Sequence, residues 1–314
     1  MLKMGIITGF LSRTKDRFHE YNQPLDMDQK FKLMTRIEGY DGVEIVYPYE
    51  VGDPKTTRKI LDKYTLNVAA VNVNVKAEPE FRNGGLTSHD KAVRAKAVRF
   101  IKEAKDFAEA VGADKVTCCP LGDGYEFSFQ YDYATTWKYL IETFGEAGNY
   151  KTEIPLCIEY KPSETRGHCF IDTAAKALLL LNDIQSKDMG VTLDFGHSMY
   201  GNENPAEAVS LLAQSPYRYY IHINDNDGNR RRLMREMVFD AFGIRVHGAR
   251  YGHGRYVGGL GRGHLGRRVP RDRDLRAGFH LRHRRALCPA PRPIAQRPGS
   301  MRQPGPSGRR IARQ

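Results

Sequence analysis

Residues 191–228 read VTLDFGHSMYGNENPAEAVSLLAQSPYRYYIHINDNDG, and their pattern decides the fold. An apolar, β-branched run from Val191 to Phe195 leads into a polar loop. Next comes a segment opened by Pro205 with Ala and Leu at helical spacing, and then a second apolar run from Tyr219 to Ile223. A strand, a helix and another strand in that order make a parallel crossover unit. Pro205 suits the first turn of the helix, where a missing N–H costs nothing.

The same unit recurs toward the N-terminus. Further strands are expected at Met4–Thr8, Val43–Val46, Val68–Val75, Lys115–Cys119 and Leu156–Tyr160, with helical segments filling every gap. The clearest helix runs from His89 to Val111, where Val93, Ala97, Phe100, Ile101, Ala104, Phe107 and Ala108 share one face and Gly112 stands where a C-cap would. Asp172 to Lys187 repeats the pattern with Ala174, Ala177, Leu178 and Leu181, and Pro54 marks another helix start. Seven β/α units in series predict an α/β fold, a (β/α)8 TIM barrel that lacks its eighth strand.

The alternation stops after Asn229. Gly, Arg, Pro and His dominate from there, as in GGLGRGHLGRRVPRDRDLRAGFHLRHRR, and only Met234 to Ile244 has the pattern of a short amphipathic helix. Such a segment buries little, so residues 229–314 are expected to be a largely disordered tail and residues 1–228 the barrel domain. The net charge of +12 divides at the same place. The first 228 residues hold about 27 Lys and Arg against 33 Asp and Glu, and the rest about 22 against 4. All the lysines lie before the join. An Arg-rich, Lys-free tail that begins so abruptly is what out-of-frame translation of a GC-rich gene produces, the alternative being a genuine basic extension.

The five cysteines show no C-x-x-C spacing, which argues against a disulfide framework or a structural zinc site and fits a reducing cytoplasm. No apolar run approaches about 18 residues, so no membrane partner is expected. The basic balance would suit nucleic acid, but only nonspecifically and only through the tail, since the head is mildly acidic. No Gly-rich phosphate loop is evident.

In a parallel barrel the functional groups close the strands at their C-terminal ends. Three successive strands end in chemistry-bearing residues. The fifth gives Leu156-Cys157-Ile158-Glu159-Tyr160-Lys161-Pro162, where period-2 alternation sets Glu159 and Lys161 on one face. The sixth contributes Asp194 and His197, and the seventh His222, followed by Asp225 and Asp227. Taken singly, each has a bland reading: a strand-end carboxylate is a cap or salt-bridge partner, His197 a helix cap, and Asp225 and Asp227 turn formers. Their conjunction points to a cation. Two carboxylates and an imidazole without thiolate suit Mn²⁺ first, with Mg²⁺, Co²⁺ or Zn²⁺ as alternatives. Glu44, read as closing the second strand, is expected to line the pocket and touch substrate.

At IEYKP (Ile158 to Pro162), TLDFGHS (Thr192 to Ser198) and HINDNDG (His222 to Gly228) the sequence resembles the xylose isomerase-like barrel superfamily of sugar isomerases, ketose 3-epimerases and endonuclease IV-type enzymes. The resemblance spans strands one to seven. It implies that Glu159, Asp194 and His222 bind the metal, that His197 contacts substrate or a second metal, and that Asp225 or Asp227 serves a second metal. Lys161 inherits support of the substrate carbonyl, which leans toward aldose–ketose isomerisation of a sugar or sugar phosphate, and relatives of this kind form homo-oligomers. The family pattern also calls for an acidic residue closing an eighth strand, and none of Glu236, Asp240, Asp272 and Asp274 ends an apolar run. An epimerase would lose an acid/base group with it, an isomerase only a ligand, so the chain as given is expected to be weakly active or inactive. The rival readings are an apurinic endonuclease, which needs histidines where Asn74 and Cys118-Cys119 stand, and a non-catalytic nucleic-acid binder acting through the tail.

Overall fold

The computed structural model describes residues 3–224 except 13 and 16–19. Asp225, Asp227 and the whole 229–314 segment lie outside the described residues.

Seven strands form one sheet: β1 (Gly5–Ile7), β2 (Gly42–Tyr47), β3 (Asn67–Val73), β4 (Val116–Cys118), β5 (Leu156–Glu159), β6 (Met189–Asp194) and β7 (Arg218–His222). They are parallel and ordered as in the chain, so each crossover joins spatial neighbours. The sheet is curled. Glu44 on β2 and His222 on β7 have four strands between them in the hydrogen-bonded order, yet their side chains meet at 3.0 Å across the interior. The result is the curled seven-stranded part of a TIM barrel, and among the described residues β1 and β7 are its two edges.

The helices occupy the crossovers: α1 (Met27–Met34), α2 (Pro54–Lys63), α3 (Lys91–Val111), α4 (Tyr133–Gly148), α5 (Ala174–Ile184), α6 (Phe195–Tyr200) and α7 (Pro205–Gln214). Their starts follow capping chemistry. Asp26, Asp53, Asp90, Asp132, Thr173, Asp194 and Asn204 each accept a backbone N–H of the first turn, satisfying donors that have no helical partner. Pro54 and Pro205 follow their caps as expected, and Gly112 ends α3 in the left-handed conformation. The expected apolar face of α3 is the buried one, with Ala97, Ile101, Ala104 and Ala108 packed against the sheet side.

Boundaries moved in a few places. Thr8 opens a 3-10 turn and does not continue β1, and Lys115 and Cys119 flank β4. Tyr160 lies past β5, and Phe195 is the first residue of α6 because the Asp194 side chain turns the chain into a helix there. Two short ladders were not anticipated, Thr14–Lys15 with Glu20–Tyr21 and Gly124–Tyr125 with His168–Cys169; the second ties the loop after β4 to the loop after β5 over the C-terminal face.

A second link, from the loop after β4 to the loop after β3, is made by Asp123, a buried carboxyl whose Oδ1 accepts the Thr87 amide at 2.7 Å and the Thr87 hydroxyl at 2.6 Å, while Oδ2 is buried without a protein partner. Burial pushes its pKa up to about 6 against the pull of those hydrogen bonds. A folded-state value above the unfolded one, about 3.9, means stability that is complete below pH ~4 and lost as pH rises through 6. The difference in unfolding free energy between wild type and Asp123→Asn is therefore expected to move against the wild type between pH 4 and pH 7. Urea titrations at the two pH values check it, and a pH-independent difference contradicts it.

Candidate functional site

The in-register parallel pairing of β5, β6 and β7 brings the site together. Thr192 lies beside Glu159, and Asp194 beside His222, so two steps along β6 carry the chain from one ligand level to the next. Glu159, Asp194 and His222 are all buried, and one ligand atom from each lies within 4.8 Å of the other two. His222 Nδ1 stands 3.6 Å from Glu159 Oε2. Three sequence positions separated by 35 and 28 residues thus converge on one spot at the C-terminal ends of the strands.

Glu44 lies in the middle of β2, not at its end, because the strand runs on through Ile45, Val46 and Tyr47. Its carboxylate accepts the Thr117 hydroxyl at 2.7 Å and the Asn72 amide at 3.3 Å on Oε1, and faces His222 Nε2 at 3.0 Å with Oε2. Burial works to raise its pKa, but the His222 charge and these hydrogen bonds outweigh it and hold Glu44 below the ordinary carboxylate range. An ionised carboxylate only accepts, so His222 Nε2 carries the proton of this contact and Nδ1 is turned toward Glu159. Burial disfavours an imidazolium here, yet Glu44 and Glu159 on either side outweigh it and raise His222 well above the ordinary histidine value. With Nε2–H held by a carboxylate, loss of the Nδ1 proton to an incoming cation would leave the imidazole form in which histidine serves as a metal ligand.

Asp194 has two duties besides. Oδ1 accepts the His197 amide at 2.8 Å and so caps α6, and Oδ2 accepts the Asn224 side chain at 2.5 Å. His197 is therefore not the cap of that helix. It lies inside α6, buried, with Nδ1 3.2 Å from Glu159 Oε1 and 3.2 Å from the Tyr160 carbonyl. The glycine between Phe195 and His197 follows from Asn224: a Cβ on Gly196 would coincide with the Asn224 carboxamide. Gly196→Ala is expected to expel Asn224 from Asp194 and to cost about 1–3 kcal/mol as an overpacked site. A chemical-denaturation curve superposing on wild type would refute it.

Lys161 lies two residues past β5, buried, its Nζ 3.1 Å from Glu164 Oε2. A further residue that sequence reasoning missed is Glu203, which joins the Tyr160 hydroxyl at 2.6 Å, the Ser198 hydroxyl at 2.9 Å and the Ala174 amide at 3.0 Å. It locks the end of β5, α6 and the start of α5 into one unit under the site. A lone Glu in the polar run Gly201 to Asn204 offered no signal for this role.

A parallel barrel that gathers carboxylates and imidazoles at the ends of consecutive strands defines a class, the barrels whose functional groups sit at their C-terminal face. Within that class the chain belongs to the xylose isomerase-like TIM barrel family, whose profile matches residues 32–259. It is similar to the xylose isomerase of Thermus thermophilus, 26% identical over 178 residues, which is 55% of this chain and 46% of the relative. The chain thus spans a little under half the length of the curated relatives it matches. Among solved structures, a D-psicose 3-epimerase superposes with a TM-score of 0.56 at 18% identity, covering 71% of this chain and 73% of the other. The 3-keto-D-glucoside 4-epimerase of E. coli superposes with 0.54 at 16% identity, covering 72% and 80%. At such identities these two share the fold. Among the described residues no helix is long and apolar enough to cross a membrane.

Proposed function

We propose that this chain carries the metal site of a divalent-cation-dependent sugar isomerase or epimerase, with aldose–ketose isomerisation as the favoured reaction. The observation that carries the reading is the convergence of Glu159, Asp194 and His222 within 4.8 Å in a buried setting. The residues fit a cation on their own chemistry: two carboxylates and an imidazole, with the imidazole's far nitrogen against the buried Glu44. Mn²⁺ is the proposed ion, a choice in keeping with the oxygen-rich donor set.

When bound, the cation would supply Lewis-acid polarisation of the sugar's oxygens. The chain's own residues do the rest. Lys161 donates to the carbonyl oxygen as charge develops there, exchanging its Glu164 partner for substrate. His197, fixed by the Tyr160 carbonyl and by its place in α6, orients a sugar hydroxyl. Epimerisation would require a second acid/base group from beyond residue 224, which is why isomerisation is preferred. Similarity to xylose isomerases supports the same direction. A sugar or sugar phosphate is the proposed partner, and homo-oligomerisation is proposed for the intact form.

Calorimetric titration of the metal-free full chain with Mn²⁺ tests the site, with one ion expected for wild type and none for His222→Ala. Incubation of the Mn²⁺-loaded chain with aldose and ketose panels tests the reaction: aldose–ketose exchange supports isomerisation, whereas C3 epimers would assign the epimerase reading. A barrel domain at 1–228 and a tail at 229–314 are proposals of the same kind, and reading the coding DNA in three frames across the join tests them.

A further inference from the structure

Glu203 grips the residues that flank three of the proposed active side chains. Its Oε2 accepts the hydroxyls of Tyr160 at 2.6 Å and Ser198 at 2.9 Å, and its Oε1 accepts the Ala174 amide at 3.0 Å. Tyr160 stands between Glu159 and Lys161, and Ser198 follows His197 in α6. We propose that Glu203 is a positioning residue for the isomerase chemistry, one that sets the His197 imidazole against Glu159 and Lys161 by way of Tyr160 and Ser198 and does not itself touch substrate. The inference rests on the proposed function, in which His197 and Lys161 meet the sugar.

The contacts run without a break from Glu203 to the imidazole. The Tyr160 main-chain carbonyl stands 3.2 Å from His197 Nδ1, which also faces Glu159 Oε1 at 3.2 Å. A carbonyl only accepts, so Nδ1 carries the proton of that contact, and the ring turns to wherever Tyr160 places its carbonyl. Tyr160 is in turn held at its far end. It is fully buried, and burial together with the Glu203 hydrogen bond keeps its phenol protonated as a donor. Ser198 is equally buried, and the Glu203 amide donates to the Ser198 carbonyl at 2.9 Å, which folds the loop after α6 back onto the helix that carries His197. A second tie joins the same two segments further along each, from the Ser163 hydroxyl to the Tyr200 hydroxyl at 2.8 Å. Loss of the Glu203 carboxylate therefore leaves the segments docked but releases the carbonyl that orients His197. Asp194 and His222 are held separately, by Asn224 and Glu44, so cation binding should not follow the change.

The metal-free full chain, isotope-labelled at its histidine nitrogens, is compared at one fixed pH by long-range proton–nitrogen correlation, with ring signals assigned through His197→Gln and His222→Gln. Glu203→Ala is expected to move the His197 ring signals and leave those of His222 in place, with one Mn²⁺ still bound by calorimetry. Tyr160→Phe, which deletes only the hydroxyl, should move the His197 signals in the same direction. Glu203→Gln keeps an oxygen for the Ala174 amide and offers an NH2 to the two hydroxyl oxygens, so it should restore the wild-type spectrum. In the Mn²⁺-loaded chain, kcat for aldose–ketose exchange should fall about 10–100-fold in Glu203→Ala, the cost of a misplaced group. With Mn²⁺ bound by wild type, His197 signals that stay in place in both Glu203→Ala and Tyr160→Phe overturn the inference and leave the proposed function standing. Loss of Mn²⁺ binding in Glu203→Ala with shifts at both histidines overturns it too, because Glu203 is then a brace of the whole fold. A wild type that binds no Mn²⁺ overturns the proposed function, and the inference with it, however the ring signals move.

Discussion

Glu44→Ala is expected to weaken divalent-cation binding by about 10–100-fold, the usual cost of deleting the carboxylate behind a ligating histidine. The variant also leaves three partners behind. His222 Nε2, the Thr117 hydroxyl and the Asn72 amide all address this carboxylate in the barrel interior, and Glu44 and His222 are both buried. Breaking a buried charged pair by removing one member costs about 3–5 kcal/mol. Two readouts should therefore move together: a weaker Mn²⁺ dissociation constant by calorimetry and a lower urea midpoint. Glu44→Gln keeps the volume and one acceptor oxygen, so it should lie between the two. If Glu44→Ala binds Mn²⁺ with wild-type affinity, Glu44 does not position His222, and the carboxylate is a core feature unrelated to the site.

The convergence of Glu159, Asp194 and His222, the three proposed ligands, was legible because each closes an apolar run, and in a parallel barrel that is where function sits. Glu44 stood out in the sequence, but not as a partner of His222, since the two are 178 positions apart and only the curl of the sheet joins them. Thr117, Asn72 and Asn224 escaped notice for the same reason: isolated polar residues acquire a role only when a distant strand supplies the partner. The strand cores were readable as β-branched runs, which is how strands covered on both faces look. Their starts were less so. Met189 and Gly190 belong to β6, but a glycine reads as a break; here it is required because a Cβ at Gly190 would press on the Arg218 carbonyl of β7. Likewise Phe195 continues an apolar run by composition, and only the Asp194 side chain, accepting the His197 amide, turns it into the first residue of a helix.

A core substitution gives the complementary result, a large loss of stability with the site intact. In α4 the buried positions are Thr136, Leu140, Thr143, Phe144, Ala147 and Gly148, a stripe of four- and three-residue steps that faces inward. Phe144 is among the largest fully enclosed side chains, and α4 packs between α3 and α5, so no neighbouring side chain can collapse into its place without disturbing both helices. Phe144→Ala should cost about 3–5 kcal/mol, the lost transfer energy plus the cavity left behind. Because Phe144 belongs to the helical layer and Glu159, Asp194 and His222 to the strand ends, Mn²⁺ affinity of the folded fraction should stay at the wild-type value. Urea unfolding paired with calorimetry on the same preparation reads both quantities. A loss of stability below about 1 kcal/mol would mean that the α3–α4–α5 layer repacks freely, contrary to the close-packed interior the burial pattern describes.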